Sequence, residues 1–155
     1  MLNSRALVEL LRSFKTNEIE STCLTTLDGT LFASSGDRDM NSLLSSISSS
    51  IWDYTEQSFS ENILEKKKDE LNLELQKEKE ENEEKEEKKE EKDEKEEFSL
   101  KTMLLENENG QILISRVRSL LVIFVIKNCL EMGVVFKKMD ALKEVLNPVL
   151  KKVGL

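Results

Sequence analysis

The sequence contains no histidine among its 155 residues. Without an imidazole group, neither a Ser-His-Asp nor a Cys-His catalytic arrangement can form, and the commonest metal ligand is missing. Only five glycines are present, and they are too scattered to form a phosphate-binding loop or a dinucleotide-binding fingerprint. These absences argue against an enzyme, and we predict no catalytic residue, no cofactor and no metal site.

Long apolar segments are also absent. The longest run, residues 120–126, is too short to cross a bilayer, and the first residues lack the apolar segment of a signal peptide. The two cysteines, Cys23 and Cys129, lie in apolar segments and are expected to be reduced core thiols. No basic stripe offsets the net charge of −8, so nucleic-acid binding is not expected. A cytosolic protein without direct membrane insertion is the expectation.

Charge is concentrated in one tract, residues 65–97. The tract holds ten lysines against seventeen aspartates and glutamates, which accounts for −7 of the net charge. Because it has no apolar face, we expect a charged insertion over residues 65–96 that is solvated, partly helical or disordered. Residues 1–64 and 97–155 should form a single domain, since each doubling of a loop's length costs only about 0.6 kcal/mol.

The segment before the tract predicts a helix, a β-hairpin and a second helix. An apolar stripe with helical spacing marks residues 4–15, with Asn3 or Ser4 as cap. Two β-prone runs, 19–27 and 30–34, flank Asp28-Gly29, which suits a type I′ turn with positive φ at both residues. The next segment is rich in serine, as a linker would be, but its apolar residues are spaced by three and four, which favours a helix. Those apolar residues are Met40, Leu43, Leu44, Ile47, Ile51 and Tyr54.

The segment after the tract predicts three strands and a helix. The strands are expected at 98–106, 111–117 and 120–126, with turns at 107–110 and at Arg118-Ser119. Because the last strand is apolar on both faces, it should be central and covered on both sides. The helix, about 135–152, should kink at Pro148 or restart with Asn147 as cap. The order α-β-β-α-β-β-β-α indicates the α+β class, with a five-stranded, mainly antiparallel sheet and helices on both faces.

Several parts of the sequence carry a resemblance to a known family: residues 1–2, 5–7, 21–24, 28–36, 51–52, 100–110, 114–117, Lys127, Gly133 and 147–150. Together they resemble the roadblock/dynein light chain family, which has a profilin-like or longin-like fold, and more closely the roadblock subunits of the Ragulator complex. The charged tract is the departure from the family pattern. The resemblance implies a non-catalytic scaffold that forms a heterodimer with a paralogous roadblock subunit. A lipid-anchored subunit would hold the pair on the cytosolic face of late endosomes and lysosomes, where it would dock Rag-type GTPases in TOR and MAPK signalling.

A partner interface is predicted on the second helix and on the strand after the tract. The second helix has more apolar surface than one side of a small sheet covers, and the strand should lie at a sheet edge. The predicted interface residues are Leu43, Leu44, Ile47, Ile51, Leu100, Met103 and Leu104; a role in the domain's own core remains the alternative. Arg116 and Arg118 could bind a phosphate or an acidic partner, or could be solvent-facing turn residues.

Two other functions remain open. One is a motor-cargo adaptor of the roadblock-type dynein light chains, which would bind intermediate chains as a homodimer. The other is direct activation of a GTPase or exchange of its nucleotide, for which the sequence offers no convincing arginine finger.

Overall fold

A computed structural model describes residues 3–78, 100–127 and 131–155 of the chain. The predicted order of three helices and five strands is confirmed. Their bounds are α1 Ser4–Ser13, β1 Ile19–Thr26, β2 Leu31–Ser35, α2 Arg38–Glu78, β3 Thr102–Asn107, β4 Gly110–Val117, β5 Leu120–Ile126 and α3 Met132–Lys152. The predictions for residues 79–99, which include Phe98, and for Cys129 lie outside the described residues.

The five strands form one sheet in the order β2-β1-β5-β4-β3, and every pairing is antiparallel. The prediction that residues 120–126 form the central strand is confirmed, because β5 pairs with β1 on one side and β4 on the other. Six of its seven residues are buried. The sheet is therefore shared between segments from before and after the charged tract.

Helices cover both faces of the sheet, as predicted. On one face, Leu7 and Leu11 of α1 and the buried stripe of α3 pack against apolar residues that include Leu113 and Phe124. On the other face, Trp52 of α2 packs with a second cluster. The residues of β4 alternate between the two faces, since Leu113 and Val117 belong to the first cluster and Ile112 and Ile114 pack in the second.

Helices α1 and α2 each begin directly after a residue whose side chain caps the helix. Asn3 Oδ1 accepts hydrogen bonds from the backbone N–H groups of Arg5 and Ala6, at 3.1 and 3.5 Å, and α1 ends at Ser13, two residues before the predicted end. Asp37 Oδ1 accepts from the N–H groups of Asp39 and Met40, at 2.9 and 3.1 Å, so α2 has an acidic cap. The serine-rich segment is helical, as predicted.

Helix α2 is longer than the sequence pattern predicted. It continues through residues 65–78, the first part of the charged tract, because Glu, Lys, Leu and Gln are all strong helix formers even without an apolar face. The chain divides into two compact units, residues 1–53 with 100–155 and residues 54–99. The domain division drawn from the sequence, with its boundary at residue 64, stays a prediction.

The turn between β1 and β2 differs from the predicted type I′ turn. Gly29 has a φ of 92°, but Asp28 has no positive φ. Thr26 N–H donates to the Thr30 carbonyl at 3.0 Å, which leaves a loop of three residues, and such loops need a left-handed residue only at their last position. Asp28 accepts from the Thr26 hydroxyl and from Thr30 N–H, and these hydrogen bonds lower the pKa of its carboxyl group.

Two other boundaries differ from the predictions. Among the described residues β3 begins at Thr102, and Leu100 and Lys101 precede it outside the strand. Helix α3 begins at Met132 and runs through Pro148 without the predicted restart at Asn147. Pro148 faces solvent, where the backbone carbonyl that loses its hydrogen bond can be hydrated, so the helix continues.

The close packing of Gly29 on α2 gives a direct test of the hairpin. A Cβ at this position would lie 2.7 Å from Ser49 Oγ and 3.1 Å from Ser46 Cα, in a backbone conformation that disfavours side chains. We predict that Gly29→Ala lowers the free energy of unfolding by about 2 kcal/mol, measured by urea denaturation. The control is Gly133→Ala in α3, where no described atom lies within 4 Å of the new Cβ. Equal stability of the Gly29→Ala variant and the original chain would contradict the described turn.

Candidate interface on helix α2 and strand β3

The first part of α2, residues 38–53, packs one of its sides against the sheet. Ser45, Ser48 and Ser49 are buried there, and Gly29 of the β1–β2 turn packs closely against the helix beside Ser46 and Ser49. Trp52, only 1% exposed, supplies most of the apolar volume on this side of the helix. It shares the second core cluster with Cys23 and with residues of β4 and β5.

The opposite side of the same helix segment carries large apolar side chains that remain exposed. Leu43 is 59% exposed and Ile47 50%, and Met40, one turn earlier, is also exposed. Their spacing of three and four residues places them along one stripe of the helix. We call Met40, Leu43 and Ile47 the α2 stripe. The stripe is apolar surface that the described residues of this chain leave uncovered.

Strand β3 lies at an edge of the sheet. In the described part of the chain it pairs with β4 alone, in a register from Thr102 opposite Ser115 to Asn107 opposite Gly110. Its other edge therefore presents backbone N–H and C=O groups that a further strand could pair with. The sequence-based expectation that this strand lies at a sheet edge is met.

The structure divides the seven predicted interface residues into different environments. Leu44, Leu100 and Met103 are partly buried and pack against the second core cluster, so they contribute to the domain's own interior. Ile51 is also partly buried, whereas Leu43 and Ile47 belong to the exposed α2 stripe. A role of these residues in contacting a partner stays a prediction.

Leu104 lies on the other face of the sheet from α2. It is opposite Leu113, a member of the cluster under α1 and α3, and is 39% exposed. Successive residues of a strand point to opposite faces, so Met103 and Leu104 cannot both face α2. Only an edge-to-edge contact along β3 would bring both residues close to the same partner.

Two buried polar atoms of α2 lack hydrogen-bond partners among the described residues: Ser45 Oγ and Trp52 Nε1. Neither group could be identified from the sequence, because the burial of a polar atom without a hydrogen-bond partner depends on tertiary packing. Burying an unpaired polar group costs about 1–3 kcal/mol. The packing of α2 on the sheet therefore depends on the apolar contacts of Trp52 and its neighbours.

Cys23 lies beneath this helix in β1, fully buried in the second core cluster. Burial disfavours the charged thiolate and raises the pKa of its thiol to about 12. The expectation of a reduced core thiol is met for Cys23, which is a free cysteine. No described helix is both long enough and apolar enough to cross a membrane.

Comparison with known proteins identifies the fold. The sequence matches no family model and no curated protein. The structure is similar to a Roadblock/LC7 domain from Streptomyces avermitilis, with a TM-score of 0.66, 11% identity, and coverage of 93% of this chain and 97% of that one. It is also similar to Myxococcus xanthus MglB, with a TM-score of 0.59, 12% identity and coverage of 96% and 94%.

A third similar structure is described as MglB with a tetrameric arrangement. Its TM-score is 0.67, its identity is 10%, and the alignment covers 98% of this chain and 94% of that one. At these identities the comparisons show a shared fold. This chain therefore has the fold of a Roadblock/LC7 domain, as the resemblance of its sequence implied.

The burial of Cys23 predicts low chemical reactivity in the folded chain. In a Cys129→Ser background, iodoacetamide at pH 8 should modify Cys23 at least about a hundredfold more slowly in buffer than in urea, because little thiolate forms. Mass spectrometry over time measures both rates. Equal alkylation rates with and without urea would contradict the described burial.

The same burial makes the stability of the fold depend on pH. The pKa of the thiol is 9.0 in the unfolded chain and about 12 in the folded chain, so the free energy of unfolding falls as pH rises through that interval.

Proposed function

We propose that this chain is a roadblock family protein and acts as a non-catalytic scaffold subunit of a Ragulator-like complex. In this proposal it forms a heterodimer with a paralogous roadblock subunit, and a lipid-anchored subunit holds the pair on the cytosolic face of late endosomes or lysosomes. The pair docks Rag-type small GTPases in TOR and MAPK signalling. The shared Roadblock/LC7 fold supports the family, and the sequence resemblance supports the choice of complex.

The observation that carries the proposal is the exposed α2 stripe, together with the outer edge of β3, which the described residues leave unpaired. Large apolar side chains such as Leu43 and Ile47 gain about 1 kcal/mol each when a partner removes their remaining exposed area from water. A second domain of the same fold has both features needed to cover them, a helix to place against α2 and an edge strand to pair with β3. A paralogous subunit therefore suits this surface better than an unrelated protein.

The arrangement of a known neighbour is consistent with assembly by this fold. MglB, at 10% identity, is described in a tetrameric arrangement, so copies of a similar domain associate in that protein. In this proposal the chain forms a heterodimer in which the two sheets continue into one another along β3. Such a dimer would create a surface larger than one domain offers, which suits a docking role for GTPases.

The proposal is tested by disrupting the α2 stripe without disturbing the core. We predict that the double variant Leu43→Asp, Ile47→Asp recovers at least about tenfold less of the roadblock partner than the original chain, because charges would be buried in the interface. Affinity purification with mass spectrometry measures the recovered amounts. Both residues are exposed, so circular dichroism should show an unchanged fold. The matched control is Val145→Asp on α3, where the residue is similarly exposed at 46% and lies outside the stripe.

The proteins recovered with the original chain distinguish the candidate functions. A second roadblock protein together with Rag-type GTPases supports the proposal. Recovery of a dynein intermediate chain without such GTPases would favour the motor-cargo adaptor instead. A stable monomer that recovers no roadblock protein would contradict the proposed pairing.

A further inference from the structure

A basic cleft lies between the β4–β5 turn and helix α3. None of its lining residues belongs to the α2 stripe. Its volume is about 300 Å³, near the lower limit for a small-ligand site. The described residues that line it are Arg116, Val117, Arg118, Lys143, Glu144 and Asn147. The proposed scaffold role uses none of them.

The two arginines of the cleft are positioned by backbone groups. Arg118 has a φ of 55°, the left-handed conformation of a tight turn, and its Nε donates to the Leu155 carbonyl at 2.7 Å. Arg116 Nε donates to the Arg118 carbonyl at 3.0 Å. The hydrogen bond at Arg118 Nε fixes the plane of the Arg118 guanidinium group, so less side-chain entropy is lost when its Nη groups bind a ligand.

The charge of the cleft is opposite to that of the chain. Three cations and one carboxylate, Glu144, are present among the described lining residues, whereas the whole chain has a net charge of −8. Asn147 adds a side-chain amide that can donate a hydrogen bond. A concave surface with this balance attracts a small anion and offers it several donors at once.

We propose that this cleft binds the phosphate group of a phosphate monoester. Arginine presents paired N–H donors whose geometry matches the oxygens of such a group, and Lys143 adds a mobile point charge from the facing helix. The volume accommodates a phosphate with a small adjoining group. The phosphate belongs either to a small soluble molecule or to a phosphorylated lipid headgroup, and both sources present the same chemistry to the cleft. This proposal does not depend on the proposed scaffold function.

The first test is a titration of the full ¹⁵N-labelled chain with inorganic phosphate at constant ionic strength, with chloride as the reference salt. Amide shifts that saturate should be confined to residues 116–119 and 143–147. The double variant Arg118→Gly, Lys143→Gln should weaken binding at least about tenfold, because two charged donors are lost. Glycine adopts positive φ readily, so the turn should still fold. Lys137→Gln, at an exposed α3 residue outside the cleft, is the control for the loss of one positive charge and should change affinity less than twofold.

The second test identifies the source of the phosphate. The full chain is sedimented with phosphatidylcholine vesicles, with and without a phosphatidylinositol phosphate. Sedimentation that requires the phosphorylated lipid and is lost in the double variant assigns the cleft to a lipid headgroup. Saturable phosphate binding without such sedimentation assigns it to a soluble ligand. The proposal is overturned if neither ligand binds, or if the double variant binds as well as the original chain, or if Lys137→Gln weakens binding equally.

Discussion

The antiparallel pairing of β1 with β5 is the interaction on which the rest of the structure depends. It joins a strand from before the charged tract to one from after it, in a register from Ile19 opposite Ile126 to Thr26 opposite Leu120. Helices on both faces of the sheet pack against residues of β5. Since the paired strands belong to one interior, a long insertion between α2 and β3 adds mainly the modest entropy of a longer connection.

The helices on the two faces of the sheet pack in different ways. Under α1 and α3 lies the larger cluster, which includes the buried stripe from Val135 to Leu150. The buried side of α2 carries small serines together with Trp52, which packs in the second cluster. The apolar residues on the outer side of α2 then have no cover within the described part of this chain. The proposed contact with a partner through this helix and the adjacent strand would cover those apolar residues.

Much of the fold could be predicted from the sequence because periodicity and turn residues are local signals. Residues 120–126, apolar on both faces, identified the central strand, and helical spacing identified α2 despite its serines. The turn at Asp28-Gly29 could not be assigned correctly, because its type depends on the three-residue loop that the strand register fixes. Strand alternation alone places Met103 and Leu104 on opposite faces of the sheet. The sequence indicated Arg116 and Arg118 as candidate phosphate-binding residues, but it could not predict the cleft, since the packing of α3 brings Lys143 to the arginines of a distant turn.

Native-state hydrogen exchange of the amides in β1 and β5 tests the central claim most directly. If the two strands belong to one cooperative domain, their slowest-exchanging amides, such as those of Cys23 and Ile123, should have opening free energies that agree within about 1 kcal/mol. These values should equal the free energy of global unfolding. If instead β1 and β2 exchange through a separate opening of much lower free energy than β4 and β5, the two parts of the chain do not form a single cooperative domain.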